Sequence, residues 1–186
     1  MDKYKKCFFV MSRNTISTLT QARFYVAILL VTCLMNQIIY PIKMFSIQVN
    51  IKTCPWIFPF LTQTFYLQMI MLVGIVFLFC DLPMINDGTI YILARTGKKI
   101  WFWAQVAYIF IMTFIYYLCI FILSIVLFLP YIKIENDWGK ILGTIAQTNL
   151  SDQLGVDIDY LLQVTYTPIQ AIGRAFFIAW LVGVFI

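Results

Sequence analysis

The residues able to do chemistry in this chain are few, and their spacing narrows the options further. None of the 186 residues is histidine, so the commonest general base is missing. Five cysteines, Cys7, Cys33, Cys54, Cys80 and Cys119, stand too far apart for a CxxC pair or other metal-ligand spacing. Four of them lie in or beside apolar runs, where cysteine packs as a small hydrophobe. Thr96-Gly97-Lys98 copies the end of a phosphate-binding loop, but the first glycine of that loop would fall at Ile92, so its cradle of backbone amides is lost. Asp157 and Asp159 are close neighbours in an acidic stretch and read as a solvated face. No serine has an identifiable base partner. These residues point away from an enzyme, and from any metal or cofactor held by the chain itself.

A second polar group sits inside apolar stretches. Gln63, Thr64 and Gln68, at i, i+1 and i+5, fall on one side of a helix. Asn36 and Gln37 lie near the far end of another. Asn36, Gln63 and Gln68 are therefore the candidates for polar groups in a bundle interior, either bonding helix to helix or lining a substrate path. No carboxylate lies deep in an apolar stretch, so a proton relay has no carrier.

The elements that must position these residues are membrane helices. The chain is 62% hydrophobic and 11% charged, with mean hydropathy +0.89. A soluble domain carries about 25% charged residues, and this chain lacks the polar side chains to cover a watery surface. Charge-free runs cover residues 24–42, 60–80 and 100–132, each long enough to span a bilayer with about 20 residues. The expected spans are about 23–42, 60–80 and 101–130, with a fourth from 171 that stops inside an apolar run at Ile186 and reads as incomplete, the chain as a fragment. The net charge of +5 gathers at the flanks of these runs. No basic patch is interleaved with stacking aromatics, so nucleic acid is not an expected partner. Residues 1–22 form a basic segment whose apolar patch, Cys7 to Met11, is too short for a signal peptide. It suits an amphipathic helix lying in the headgroup layer. The remainder, 23–186, is a transmembrane domain. Residues 43–59 are expected as a loop on the far side. Acidic residues 131–170 are expected there too, with surface helices near 138–148 and 154–164.

Between the second and third spans lies a polar interruption. Asp81 is placed to cap a helix, Pro83 suits a first turn, and Gly97 suits the end. Lys98 and Lys99 follow, favourable for the helix dipole. A helix of about four turns over residues 82–96 is expected on these signals.

At this interruption the sequence resembles ABC transporter permeases of the second exporter class. The likeness is carried by the basic N-terminal segment, two spans, then Asp81-Leu-Pro-Met-Ile, Tyr91-Ile-Leu-Ala-Arg95 and Gly97-Lys-Lys-Ile-Trp101 leading into a long third helix. The resemblance implies an all-α polytopic membrane helix bundle with an N-terminal interfacial elbow helix and a short cytoplasmic coupling-type helix. It implies a permease subunit in the bacterial plasma membrane, N-terminus cytoplasmic, partnered by a separate ATP-binding ATPase subunit and a second permease chain. Asp87, Tyr91, Arg95 and Lys98 would meet the ATPase. Six spans per half-transporter are usual in that family, and only four are visible here. A non-transporting membrane protein, such as an immunity, sensor or assembly subunit, is the alternative.

Overall fold

The computed structural model describes residues 3–83, 89–148 and 158–186. Among them the fold is all-α, and one isolated parallel bridge joins Thr53 to Ile132. Among the described residues three helices are long and apolar enough to cross a membrane: α2 (Ala22–Val49), α6 (Lys98–Val126) and α9 (Pro168–Phe185). The others in chain order are α1 (Lys3–Leu19), α3 (Phe58–Gln63), α4 (Phe65–Phe79), α5 (Thr89–Thr96), α7 (Gly139–Gln147) and α8 (Tyr160–Thr165). The outward faces of α2, α4 and α9 carry Leu29, Leu30, Val73, Val76 and Phe177, all exposed. Such a girdle belongs against lipid, and the chain is a membrane-embedded helix bundle.

The longer helices of the bundle each bury part of their surface. On α2 it is Phe24, Ala27, Val31, Met35, Ile38, Ile42 and Ser46, at the three- and four-residue spacing of a single helical face. On α4 it is Leu67, Met71, Gly74 and Leu78. On α6 the buried positions Ala104, Tyr108, Met112, Tyr116, Ile120 and Ser124 fall at every fourth residue. A strict four-residue step drifts about 40° per step against a period of 3.6. The buried line thus winds around α6, and this helix packs on α1, α2, α5 and α9.

Gly74 and Gly183 allow the closest approaches. A Cβ at Gly74 would lie 2.3 Å from the Tyr116 hydroxyl, and one at Gly183 would meet Ile75, Thr113 and Tyr117. Gly74 thus makes room for the Tyr116 side chain, and Gly183 lets α9 close onto α6, the use of small residues expected of membrane helix packing.

The expected boundaries need several corrections. The first span does not stop at Ile42 but runs to Val49, through Pro41, and ends where Asn50 adopts a left-handed conformation (φ 54°). Lys43 is therefore a helix residue and not part of a loop. Its ammonium donates to the carbonyls of Leu127 (3.1 Å) and Leu129 (2.6 Å), just past the end of α6, where orphan carbonyls and the helix dipole favour a cation.

The second expected span is broken. Thr64 is extended (φ −66°, ψ 112°) between α3 and α4. Its N–H and hydroxyl both donate to the Phe60 carbonyl, and its own carbonyl accepts from the Gln68 N–H. Thr62 likewise donates to Pro59. Side-chain hydroxyls here compete with the helical ladder.

The short helix after α4 is also revised. Asp81 pairs with Arg23 at the start of α2, and residues 84–88, which it was expected to cap, lie outside the described residues. Leu82 and Pro83 are not helical, and the described helix begins at Thr89. Gly97 does end it, with φ 85° and its N–H bonded to the Leu93 carbonyl. Lys98 and Lys99, however, open α6, where the dipole disfavours cations; both are exposed, which spares them desolvation.

The fourth span starts at Pro168, earlier than expected, because Thr167 and Gln170 form a capping box with proline just inside it. Its 18 residues are enough to cross a membrane. The two surface helices appear as α7 and α8, the latter capped by Asp159. Residues 154–157 of the second expectation lie outside the described residues. α7 does not simply lie on a surface. Ile141, Leu142 and Ile145 are buried, and Trp138 packs on Phe60 with ring centroids 5.3 Å apart.

Candidate functional site

Two places gather polar groups. The first lies at the end of the bundle where α1, α5 and the first turns of α6 meet. α1 is fixed there by Thr18, whose hydroxyl is buried against that of Tyr108 at 2.7 Å. Tyr4, Phe8, Phe9 and Ile16 of α1 stay exposed. α5 packs on both α6 and α1. Lys6, Phe9 and Arg13 of α1 and Tyr91, Ile92 and Thr96 of α5 line a groove of about 410 Å³. No acidic side chain lines it among the described residues.

Of the expected contact residues, Tyr91 is 80% exposed and stands on this groove. Lys98 is exposed one residue beyond Gly97. Asp87 lies outside the described residues, as does the side chain of Arg95, whose backbone belongs to α5.

The second place is a cavity of about 290 Å³ between the broken helix α3–α4, Tyr117 of α6, and α8–α9. Its polar end holds Thr62, Gln63, Gln68, Tyr166 and Arg174. Its apolar end runs along Met71, Leu72, Ile178, Ala179 and Val182. The Arg174 guanidinium donates to the Tyr166 hydroxyl at 2.5 Å and lies 4.4 Å from the centre of the same ring. Tyr166 is fixed in turn, because its carbonyl accepts from the Trp138 indole at 3.0 Å. No carboxylate among the described residues pairs with Arg174.

The structure thus brings Gln63 and Gln68 together on one cavity. Asn36 does not join them. It is exposed on α2 in a shallow groove with Thr32, Cys33 and Leu123. Sequence reasoning did not single out Arg174 or Tyr166 as partners of the glutamines. The available signal was the Thr167-Pro168 helix start, which places Arg174 in the second turn of a span.

Among the described residues no cluster of His, Cys, Asp or Glu could hold a metal ion. Comparison of the chain with protein-family models, curated proteins and solved structures gives no match.

Proposed function

We propose that this chain is the membrane-spanning permease subunit of an ATP-driven exporter, energised by a separate ATPase that seats on α5 and its flanks. The observation that carries this reading is α5 itself. It is a short helix at one end of the bundle, joined to the central helix α6 through the single residue Gly97, with Tyr91 standing 80% exposed. A large aromatic presented beside basic side chains suits a partner contact, since tyrosine and arginine are favoured anchors of interfaces. A push on α5 would pass directly to α6, and from there to every helix packed on it.

Charge supports a cytoplasmic position for this end. Eight of the thirteen Lys and Arg fall in residues 1–23 and 95–99, while five of the eight Asp and Glu fall in residues 131–170. Lys and Arg are enriched on cytoplasmic flanks. The N-terminus is then cytoplasmic, α1 rests its exposed aromatics in the inner headgroup layer, and the membrane is a bacterial plasma membrane. A second permease chain completes the path. ATP is bound by the ATPase and not by this chain.

The test is purification of the tagged full chain in mild detergent with identification of co-purifying proteins. A stoichiometric ATPase, lost on Arg95→Glu and weakened on Tyr91→Ala, is expected. A clean preparation without any ATPase, under conditions that hold a known transporter pair together, would overturn the reading in favour of a non-transporting membrane protein.

A further inference from the structure

We infer that the cavity between α3–α4 and α9 is a binding site for a single-chain anionic amphiphile, its headgroup held by Arg174 and its chain laid along α4 and α9. The site stands on its own geometry and does not need the exporter reading.

The headgroup end is built from donors. Arg174 spends one N–H on the Tyr166 hydroxyl, and its remaining N–H groups are available to an anion. Tyr166 accepts that bond, so its own O–H is left to donate. Gln63 and Gln68 add two carboxamides, each with two donors, on the same cavity. No carboxylate lines the cavity among the described residues, so nothing on its wall neutralises Arg174. Stacking over the Tyr166 ring holds the guanidinium in place before a ligand arrives.

The other end is built for hydrocarbon. Met71, Leu72, Ile178, Ala179 and Val182 line it without a charge. From Arg174 to Val182 the helix rises about 12 Å at 1.5 Å per residue. That length, with a volume of about 290 Å³, matches one slender chain and is too small to enclose a two-chain lipid. A free anion would leave the apolar half empty, and a neutral hydrocarbon would leave Arg174 without a counter-charge. An amphiphile satisfies both ends.

The experiment is native mass spectrometry of the full chain released from dodecyl maltoside, titrated with lysophosphatidic acid, lysophosphatidylcholine and inorganic phosphate. One bound lysophosphatidic acid is expected, retained at least about tenfold more strongly than lysophosphatidylcholine, as for loss of one charge-assisted hydrogen bond, and not displaced by millimolar phosphate. Arg174→Gln should weaken it by a similar factor, and Ala179→Phe should exclude it by filling the chain end. Equal retention of the zwitterionic lipid, displacement by phosphate, or undiminished binding in a folded Arg174→Gln protein would each overturn the proposal. The headgroup preference of the unaltered chain decides the matter even where a variant fails to fold.

Discussion

The hydroxyl of Tyr116 on α6 donates to the carbonyl of Met71 on α4 at 3.1 Å, and it can do so only because residue 74 has no side chain. The two helices are therefore locked by a buried tyrosine seated over a glycine. Gly74→Ala should displace Tyr116 and cost about 1–3 kcal/mol, the usual range for overpacking. Tyr116→Phe removes the hydroxyl that an added methyl would strike. The double variant should then be more stable than the two single losses added together. Melting of the purified chain, followed by size-exclusion fluorescence, measures all three. Strict additivity would show that the contact is not what couples the helices.

The bond between Thr18 and Tyr108 is a buried polar tie of α1 to α6. Tyr108→Phe should loosen α1 while leaving the spans intact. Hydrogen exchange over residues 3–19 should accelerate, reflecting loss of about 1 kcal/mol, with little change in α2 or α6. Uniform acceleration throughout the bundle would contradict this.

One turn nearer the start of α6 than Tyr108, both polar atoms of Gln105 are buried with no hydrogen-bond partner among the described residues. A buried unsatisfied amide is costly, and an apolar side chain of similar shape is not. Gln105→Met should raise the melting temperature by a few degrees, corresponding to about 1 kcal/mol. A fall would mean that the amide has a partner in the membrane-embedded protein.

The cysteines should separate by reactivity in a soluble maleimide assay. Cys54 is buried, and burial pushes its thiol above the ordinary value of 9.0. Cys80 is exposed at the polar end of α4 and should be alkylated first. Cys54 should lag throughout the neutral range. The folded chain holds the Cys54 proton more tightly than the unfolded chain. Its contribution to stability is therefore complete below about pH 9 and is lost as pH rises through the folded value. Peptide mapping of alkylation against pH reads this directly.

How far the sequence carried the fold depended on the strength of each local signal. Spans α2 and α6 were legible because charge-free runs of that length have no other stable home. Their ends were less so. Lys43 looked like a loop residue because its acceptors, Leu127 and Leu129, lie more than eighty positions away. The pairing of Asp81 with Arg23 was hidden for the same reason, since 58 positions separate them. The break at Thr64 was half-visible. Polar residues marked the spot, but only the extended backbone of Thr64 turns them from a helix face into the wall of a cavity. Gln63 and Gln68 line one cavity, but both are exposed rather than enclosed in the bundle. Their association with Arg174 depends on how α9 packs against α3, which no local pattern encodes.

The connections at the two ends of the bundle are unequal. At one end, Thr53 exchanges backbone bonds with Tyr131 and Lys133, the Trp56 indole donates to the Glu135 carbonyl, Lys43 caps α6, and Gln163 of α8 donates to the Leu142 carbonyl of α7. At the other, Arg23 pairs with Asp81 and donates to the Cys80 thiol, both exposed, and Thr18 shares a buried hydroxyl bond with Tyr108. An exposed ion pair contributes about 0–1 kcal/mol. The Thr53 end is thus stitched from loop to loop like the spine of a book, and it keeps the helices in register when force is applied at the α5 end.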